Sequence, residues 1–390
     1  MAHYLLKLGE LYLKGGNRDD FVRALRRNLA QMVRGSGSQI NARNGRFFVH
    51  CPDGAEAAVE DAFGRLFGIT GWALARKLGK TVDAVMTACV EEGRAAWAAG
   101  ARTFRIEARR ADKSFPLGSQ AICAQAGSAV LEAVPGFKAK MTGADAVINV
   151  EIRENAYVYG AEHKGLRGLP VGTAGRGMLL LSGGIDSPVA GFMMAGRGMR
   201  LDAVYFHAPP YTGDDALRKV ERLAGIIGRY ALEVRLHAVM FTEVERRIQS
   251  RAPLEWKTVL LRMAMMEAAE MIARRRKCKC LVSGESLSQV ASQTVENIAC
   301  TASTVTLPVF RPLIGLDKEA ITRIAEKIGT YPVSILPYQD CCVLFSPEHP
   351  ILRGNPAEAQ RLYRQLDLDS ILHSICRGGG ATAGGRAGAA

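Results

Sequence analysis

The segment LLSGGIDSP at residues 180–188 combines residue types that suit phosphate binding. An apolar run is followed by Ser-Gly-Gly at 182–184, and a helix is predicted from about Asp186. Two glycines let the backbone approach an anion closely, and the hydroxyls of Ser182 and Ser187 add hydrogen-bond donors. The N-terminus of a helix also presents free N–H groups. We therefore predict that this turn binds a phosphate group.

The spacing of these residues differs from two common nucleotide-binding loops. The G-x-x-x-x-G-K-[ST] loop requires a lysine that is missing here, and the G-x-G-x-x-G fingerprint is also absent. Asp186 instead puts a carboxylate in the turn. Because a carboxylate repels phosphate unless Mg²⁺ bridges the two or the carboxylate orients the turn, Asp186 predicts a nucleotide bound together with Mg²⁺. We expect no metal site formed by the protein alone.

Strands and helices alternate around this turn. The runs MLLL and RLDAVYFHA are typical of buried strands, whereas DALRKVERLAGIIGRY and VLLRMAMMEAAEMIARRR have helical periodicity. This alternation predicts an α/β fold with a doubly wound parallel sheet over residues 178–376. In such sheets ligands bind beyond the carboxyl ends of the strands, which is where the Ser-Gly-Gly turn falls.

The chain that precedes this sheet predicts two smaller α+β units. Residues 1–60 contain the strand-like HYLLKLGELYL, a helix with Asn17 as its N-cap, and the strand GRFFVHC. Residues 61–166 contain the strand RTFRIEARR between two helices, followed by one or two more strands. The Gly-rich residues 167–177 predict a linker, and the Gly/Ala-rich residues 377–390 predict a disordered tail.

The chain of 390 residues has a formal net charge of +13 and a pI near 9.4. This excess favours a polyanionic partner, and nucleic acid is the first candidate. No apolar run reaches the ~18 residues of a membrane span, and the N-terminus lacks a signal-peptide core, so we expect a cytoplasmic protein with no membrane partner. Six basic residues on and near the strand RTFRIEARR are predicted to bind RNA. They would contact phosphates and recognise the shape of the duplex and not its base sequence: Arg105, Arg109, Arg110, Lys113, Lys138 and Lys140.

Nine cysteines, an odd number, in a chain without secretory features predict reduced thiols. Two of them, Cys341 and Cys342, are adjacent in PYQDCCVLFSPEHP, where proline on both sides predicts an exposed loop. The thiolate is the nucleophilic form of cysteine, so this pair is a candidate for nucleophilic chemistry. Adjacent cysteines are hard to bridge without strain, and we expect no resting disulfide between them.

The motif SGGIDSP resembles the Ser-Gly-Gly-x-Asp-Ser signature of the ATP pyrophosphatases, which cleave ATP between the α and β phosphates and adenylate a substrate oxygen. The chain resembles, within that group, the tRNA uridine 4-sulfurtransferase family in five segments: GELYLKGGNRDDF, RTFRIEARRADKSFP, GLRGLPVGTAGRGMLLLSGGIDSPVAG, SGESLSQVASQT and PYQDCCVLFSPEHP. The resemblance extends to about residue 350.

This resemblance implies a domain order and an activity. The α/β PP-loop ATP pyrophosphatase domain would be preceded by α+β ferredoxin-like and RNA-binding THUMP domains. Together they would form 4-thiouridine at position 8 of tRNA, with a further contribution of sulfur to thiamine thiazole synthesis. The resemblance also implies a homodimer.

The resemblance also implies an ATP site. Together with the Ser-Gly-Gly turn, its residues would be Leu180, Leu181, Ser182, Gly183, Gly184, Asp186, Ser187, Tyr205, Phe206, Arg262, Gly284 and Gln293. Arg262 is a cation on a helix otherwise rich in Met, Leu and Ala, where an unpaired buried charge is unfavourable, so phosphate is a natural counter-ion. The alternative is pairing with a carboxylate such as Glu267 or Glu285. We predict that Asp186 is required for adenylation.

For the sulfur chemistry, the resemblance puts the essential cysteine at Cys342, with Cys341 as the adjacent alternative. Long members of the family carry a C-terminal rhodanese domain, which we expect to be absent here because the chain stops at residue 390 in a Gly/Ala-rich tail. Sulfur is therefore expected to come directly from a cysteine desulfurase or another persulfide carrier. The thiol that resolves the persulfide stays open among Cys341, Cys278, Cys280, Cys300 and Cys376.

Other functions remain as alternatives. Another PP-loop enzyme acting on RNA, either a different tRNA thiolase or an adenylating amide ligase, would share Asp186 and the Ser-Gly-Gly turn. The amide ligase would have no use for the adjacent cysteines or the THUMP-like half. An RNA-binding protein with a decayed nucleotide site would not retain every ATP-site residue. An iron–sulfur cluster at KCKC is disfavoured because Cys278 and Cys280 supply only two ligands.

Overall fold

The computed structural model describes residues 1–9, 16–43, 46–338, 349–377 and 382–383. The chain divides into two compact units, Met1–Gly168 and Leu169–Ala390. No helix within these described residues is both long and apolar enough to span a bilayer.

The first unit begins with an antiparallel sheet and two helices. In helix α1 (Arg18–Met32), Phe21, Leu25 and Leu29 are buried at the helical spacing read from the sequence. Asn17 precedes α1 as expected, but its side chain accepts no hydrogen bond from the first turn of the helix. The predicted capping by Asn17 is therefore wrong. The other elements are α2 (Glu56–Arg65) and strands β1 (Ala2–Leu8), β2 (Gln39–Arg43), β3 (Arg46–Cys51), β4 (Ile69–Leu74) and β10 (His163–Lys164), in sheet order β10-β4-β1-β3-β2.

The second sheet of this unit is covered by two helices, α3 (Val82–Ala98) and α4 (Ser119–Ala133). Phe104, Ile122 and Ile148 are fully buried between sheet and helices. The strand order is β5-β9-β8-β6-β7, from β5 (Arg76–Leu78), β6 (Thr103–Arg110), β7 (Lys138–Ala139), β8 (Ala146–Ile152) and β9 (Ala156–Tyr159).

The two sheets of the first unit are joined by buried contacts. Arg46 of β3 donates to the carboxylate of Glu151 of β8 at 3.1 Å, and Phe48 stacks on Tyr157 with ring centroids 4.6 Å apart. The predicted boundary between residues 60 and 61 falls inside α2, and the first sheet also includes β4 and β10, which follow that boundary.

The second unit contains the expected doubly wound sheet, which confirms the predicted fold class. Strands β11 to β15 are parallel, and β16 pairs antiparallel with β13. The sheet order is β15-β14-β11-β12-β13-β16, from β11 (Arg176–Leu180), β12 (Arg200–His207), β13 (Val234–Met240), β14 (Cys280–Val282), β15 (Val309–Phe310) and β16 (Thr382–Ala383).

Helices cover this sheet. The longest, α8 (Lys257–Arg275), is buried on most of its surface, which explains its almost continuous run of Met, Leu and Ala. The others are α5 (Asp186–Gly196), α6 (Asp214–Ala231), α7 (Thr242–Arg251), α9 (Val295–Ala302), α10 (Lys318–Ile328), α11 (Tyr331–Ser334), α12 (Pro356–Gln365) and α13 (Asp369–Arg377).

The ends of the second unit differ in how far the structure describes them. Within the predicted linker, 167–177, Leu169 and Val171 are buried and β11 begins at Arg176. The predicted disordered tail, 377–390, lies outside the described residues apart from Arg377 and β16.

The strand order creates a crevice. From β11 the chain continues through β12 and β13 on one side of the sheet, and then returns to β14 and β15 on the other side. The connections that leave β11 and β14 therefore diverge at their carboxyl ends. This is the topological switch point at which open α/β sheets bind ligands.

Candidate functional site

The Ser-Gly-Gly turn lies at this switch point, between the end of β11 and the start of α5. The Ser187 hydroxyl oxygen accepts a hydrogen bond from Ser182 N at 2.9 Å, and the two hydroxyl oxygens are 3.1 Å apart. Gly184 N donates to Ser182 Oγ at 3.3 Å. A β-carbon at Gly184 would meet only Ser182 Oγ, at 3.5 Å, and the backbone of Gly184 is not left-handed, so neither packing nor backbone conformation requires glycine here.

A cavity opens beside the turn. It is lined by all of the predicted ATP-site residues except Gly183 and Gly184, and it also contacts four residues that sequence reasoning did not select. The lining residues are Leu180, Leu181, Ser182, Asp186, Ser187, Tyr205, Phe206, Arg262, Met265, Met266, Ser283, Gly284, Glu285 and Gln293. The structure thus brings together residues more than a hundred positions apart, while their roles stay predictions.

Gly284 owes its identity to a close approach of two backbones. It follows β14, and a β-carbon there would lie 2.7 Å from Ser187 N and 2.8 Å from Ser187 Cα. Any side chain would therefore push β14 away from the first turn of α5. Gly284 sets the width of the crevice.

Asp186 is held by two side chains that the sequence analysis missed. Lys318 Nζ, in the first turn of α10, donates to Asp186 Oδ1 at 2.6 Å, and Gln289 Nε2 donates to Oδ2 at 2.9 Å. Lys318 is 132 positions from Asp186 in the chain, and no local pattern connects the two. The lysine brings a positive charge next to the carboxylate at the mouth of the turn.

Arg262 is paired with a carboxylate, as the alternative interpretation held. Its Nη2 donates to Glu285 Oε1, and Arg311 Nε donates to Glu285 Oε2 at 2.6 Å. Burial by itself disfavours the charged form of Glu285, but the two guanidinium groups outweigh it and hold the pKa of this carboxyl below its ordinary value. Glu267, the other carboxylate considered, instead accepts from the Tyr363 hydroxyl at 2.7 Å.

Gln293 contributes an unsatisfied acceptor. Its side chain is 7% exposed and lines the cavity, and its Oε1 has no hydrogen-bond partner among the described residues. A buried carbonyl oxygen without a donor is unfavourable, so this atom suits a ligand that brings an N–H group.

Four of the cysteines left open as resolving thiols are buried. Burial raises the pKa of Cys278 to about 12 and those of Cys280 and Cys376 to about 11, and it also raises the pKa of Cys300. Buried thiols that stay protonated are poor nucleophiles. Cys341 and Cys342 lie outside the described residues.

The described chain just before Cys341 is tied to the site. Ser334 Oγ, in α11, donates to the Gly184 carbonyl at 3.1 Å. Lys219 of α6 is buried, and its ammonium donates to the carbonyls of Leu336 at 2.8 Å and Tyr338 at 3.3 Å. Residues 334–338 are thus attached both to the Ser-Gly-Gly turn and to α6.

The six predicted RNA-binding residues are in the first unit, and they differ in environment. Arg109, Lys113, Lys138 and Lys140 are exposed. Arg105 pairs with Glu107 at 2.5 Å. Arg110 differs, because strand alternation turns it to the other face of β6, where it donates to the Phe115 carbonyl at 3.1 Å.

Models of three families match successive parts of the chain. The ThiI ferredoxin-like domain matches residues 3–73, the THUMP domain residues 79–160, and the thiamine biosynthesis protein (ThiI) model residues 172–368.

Two relatives of similar length to this chain are both named probable tRNA sulfurtransferase. A probable tRNA sulfurtransferase of Treponema pallidum (strain Nichols) is 48% identical over 379 residues, which cover 96% of this chain and 94% of the relative. One of Caldanaerobacter subterraneus subsp. tengcongensis is 43% identical, covering 95% and 97%. A crystal structure of a 4-thiouridine synthetase–RNA complex with bound ATP matches with a TM-score of 0.88 and 33% identity, covering 96% and 97%. The chain therefore belongs to the ThiI family.

Proposed function

We propose that this chain is an ATP-dependent tRNA sulfurtransferase that converts uridine 8 of tRNA to 4-thiouridine. The observation that carries the proposal is the cavity at the switch point, where the Ser-Gly-Gly turn, Arg262 and Gln293 converge. The tRNA sulfurtransferase relatives and the ATP-bound 4-thiouridine synthetase structure support the same activity.

In the first step, uridine O4 attacks the α-phosphorus of ATP. An O4–phosphorus bond forms, the bond to the bridging oxygen of pyrophosphate breaks, the uridine N3 proton is lost to solvent, and C4 gains an adenylate leaving group. The turn would bind the departing pyrophosphate with the Ser182 and Ser187 hydroxyls and the N-terminus of α5. Lys318, next to Asp186, would stabilise the charge that develops on the phosphates.

Mg²⁺ would be part of the ATP substrate. The described residues contain no group of three or more His, Cys, Asp or Glu side chains that could hold a metal ion. The carboxylate of Asp186 lines the cavity and fits as one ligand of a hard cation, with phosphate oxygens supplying others. Each Asp186 oxygen accepts one hydrogen bond, from Lys318 or Gln289, which leaves lone pairs for a cation, and the side chain is 19% exposed. Glu285 fits that role less well, because its side chain is 3% exposed and each of its oxygens is bound by a guanidinium cation.

In the second step, the terminal sulfur of a cysteine persulfide attacks C4, so that a C4–S bond forms and the C4–O4 bond breaks as AMP leaves. A resolving thiol then attacks the carrier cysteine sulfur, the S–S bond breaks to release 4-thiouridine, and the resulting disulfide is reduced by an external dithiol. We assign the persulfide to Cys342, with Cys341 as the alternative, and expect a cysteine desulfurase or similar carrier to load it. The burial of Cys278, Cys280, Cys300 and Cys376 makes them poor resolving thiols, which leaves Cys341 or an external thiol for that role. A disulfide between Cys341 and Cys342 would be strained and therefore transient. Homodimer formation, a cytoplasmic location and a contribution to thiamine thiazole synthesis belong to the same proposal.

The activity is tested by expressing the chain in a bacterial strain that lacks 4-thiouridine and measuring tRNA nucleosides by mass spectrometry. Restored 4-thiouridine supports the proposal, and its continued absence with normal expression of the protein would refute it. A product thiolated at another uridine would favour a different tRNA thiolase.

The assignment of the persulfide is tested with two matched variants. Cys342→Ser should keep tRNA-dependent release of pyrophosphate but stop sulfur transfer, because a serine hydroxyl cannot hold a sulfane sulfur. AMP would then form only by hydrolysis of the adenylate. Cys341→Ser should be less harmful. Single-turnover assays with a desulfurase as sulfur source measure both. The reverse order would move the role to Cys341, and full activity of both variants would contradict a protein-bound carrier at this pair.

A further inference from the structure

A buried carboxylate lies between two arginines at the edge of the ATP cavity. Glu285 follows Gly284 at the end of β14, and Arg311 follows the end of β15. The side chain of Glu285 is 3% exposed, and each of its oxygens accepts from a different guanidinium group, Arg262 on Oε1 and Arg311 on Oε2. The carboxylate is therefore fixed in rotation as well as in position.

The three side chains carry an unequal charge. Two guanidinium groups, which stay protonated, surround one carboxylate, so the cluster has a net charge of +1. Arg262 and Glu285 line the cavity, and Arg262 lies on the buried helix α8. A partly buried net positive charge beside a cavity favours an anionic ligand.

We propose that Glu285 and Arg311 are positioning residues for the phosphates of the nucleotide. Glu285 holds the guanidinium of Arg262 at the cavity wall, and Arg311 holds Glu285. The inference rests on the proposed function, because it takes ATP as the ligand. An arginine that is already in place loses less conformational entropy on binding than a freely rotating one, so the pair raises affinity without itself touching the nucleotide.

The competing explanation is that the net positive charge of the cluster, and not the position of Arg262, governs ATP affinity. The variant Glu285→Gln distinguishes these two explanations. Glutamine has nearly the same shape, but its amide group presents N–H to one of the arginines, so one hydrogen bond is lost. The charge of the cluster rises from +1 to +2. If net charge alone governs binding, the variant binds ATP more tightly, whereas loss of positioning weakens binding.

The experiment titrates the full-length chain with α,β-methylene-ATP, which cannot be cleaved between those phosphates. It also measures kcat and KM for ATP in tRNA-dependent pyrophosphate release. Glu285→Gln should raise Kd and KM about tenfold, the usual loss for a hydrogen bond to a charged group, with a smaller change in kcat. Equal or tighter binding by this variant would overturn the inference.

Glu270→Gln is the matched control. Glu270 lies on α8, as does Arg262, is buried, and pairs with Arg274 at 2.5 Å, but it is not among the residues that line the cavity. This variant should lower the melting temperature and leave Kd for α,β-methylene-ATP unchanged. An equal loss of ATP affinity in both variants would show that the effect comes from the fold, which would also overturn the inference.

A second variant covers the case in which Glu285→Gln does not fold. Arg311→Lys keeps the charge but loses the Nε–H donor, and it should raise Kd about threefold. An unchanged Kd would contradict a role for Arg311. Failure of the unmodified chain to bind α,β-methylene-ATP would instead refute the proposed function and is thereby distinguished from failure of this inference.

Discussion

Glu151 in the first unit and Glu285 in the second are both buried carboxylates bound by two arginines, but their surroundings differ. Glu151 accepts from Arg46 at 3.1 Å and Arg153 at 2.9 Å, and also from the Tyr159 hydroxyl at 3.1 Å. Its whole environment is protein. Glu285 has no third partner of that kind among the described residues and faces a cavity.

The contrast shows that a buried Glu–Arg cluster does not indicate function by its composition. In the first unit the cluster joins two sheets, since Arg46 comes from β3 and Glu151 from β8. In the second unit one arginine of the cluster also lines an open cavity. What distinguishes the two clusters is therefore the surface that their arginines face.

The largest effect expected is in the second unit. Asp186→Ala should lower tRNA-dependent pyrophosphate release by about 10³-fold, because the variant loses both the carboxylate of the turn and the partner that orients Lys318. Affinity for tRNA should change by less than about threefold, since the basic residues lie in the other unit. Pyrophosphate assays and filter binding measure the two. If Asp186→Ala still releases pyrophosphate at the normal rate, another carboxylate has the role in adenylation that is assigned here to Asp186.

A smaller effect, on stability, is expected in the first unit. Burial disfavours the charged form of Glu151, but Arg46 and Arg153 outweigh it and lower its pKa from the ordinary 4.5. Because the folded-state pKa is the lower one, the stabilisation is fully present above about pH 4.5 and is lost as pH falls through the folded-state pKa. Glu151→Gln should cost about 3 kcal/mol at pH 7 and flatten the acid dependence of unfolding.

Chemical denaturation from pH 7 down to pH 3 measures that change. Kd for α,β-methylene-ATP should be the same in Glu151→Gln and the unmodified chain. A loss of ATP affinity would remove the contrast between the two carboxylates, and an unchanged acid dependence would show that Glu151 does not carry the stabilisation.

The smallest effect concerns the exposed charges of the first unit. Arg109→Ala combined with Lys138→Ala should weaken tRNA binding severalfold and reduce the salt slope of log K by about one unit for each lost phosphate contact. Arg361→Ala, an exposed arginine of the second unit paired with Glu358, is the control and should leave the slope unchanged. Fluorescence anisotropy between 50 and 300 mM salt measures it. An unchanged slope in the double variant would mean that the two side chains are only solvated.

Most helices and strands could be predicted from the sequence, because the spacing of apolar residues within each segment is enough to distinguish a helix from a strand. Helices α3 and α4 are the two helices predicted on either side of the strand RTFRIEARR, and the parallel sheet followed from strands that alternate with helices. The N-cap at Asn17 failed because residue type does not determine whether a side chain turns toward the helix N-terminus. The burial of Cys278 and Cys280 was readable in KCKC, where Lys277 and Lys279 alternate with them and are exposed.

The site was less accessible to such reasoning. The Ser-Gly-Gly turn has a local signature, and resemblance supplied Arg262, Gly284 and Gln293. No local signature identifies Lys318, Gln289 or Arg311. Their hydrogen-bond partners are 26 to 132 positions away in the chain, and the order of the strands brings them together. Charge pairing across that distance depends on topology, which single-residue patterns do not encode.

The close contact between Gly284 and Ser187 limits which substitutions the nucleotide-binding cavity can accept. Loops around a cavity tolerate insertions and new side chains, but the α-carbon of Gly284 lies against the backbone of Ser187, and a single methyl group would come within 2.7 Å of its nitrogen. That nitrogen belongs to the first turn of α5, where an anion would be received. Attempts to redesign this enzyme for a different nucleotide or acceptor can therefore vary the cavity wall, but they have to keep this one position without a side chain.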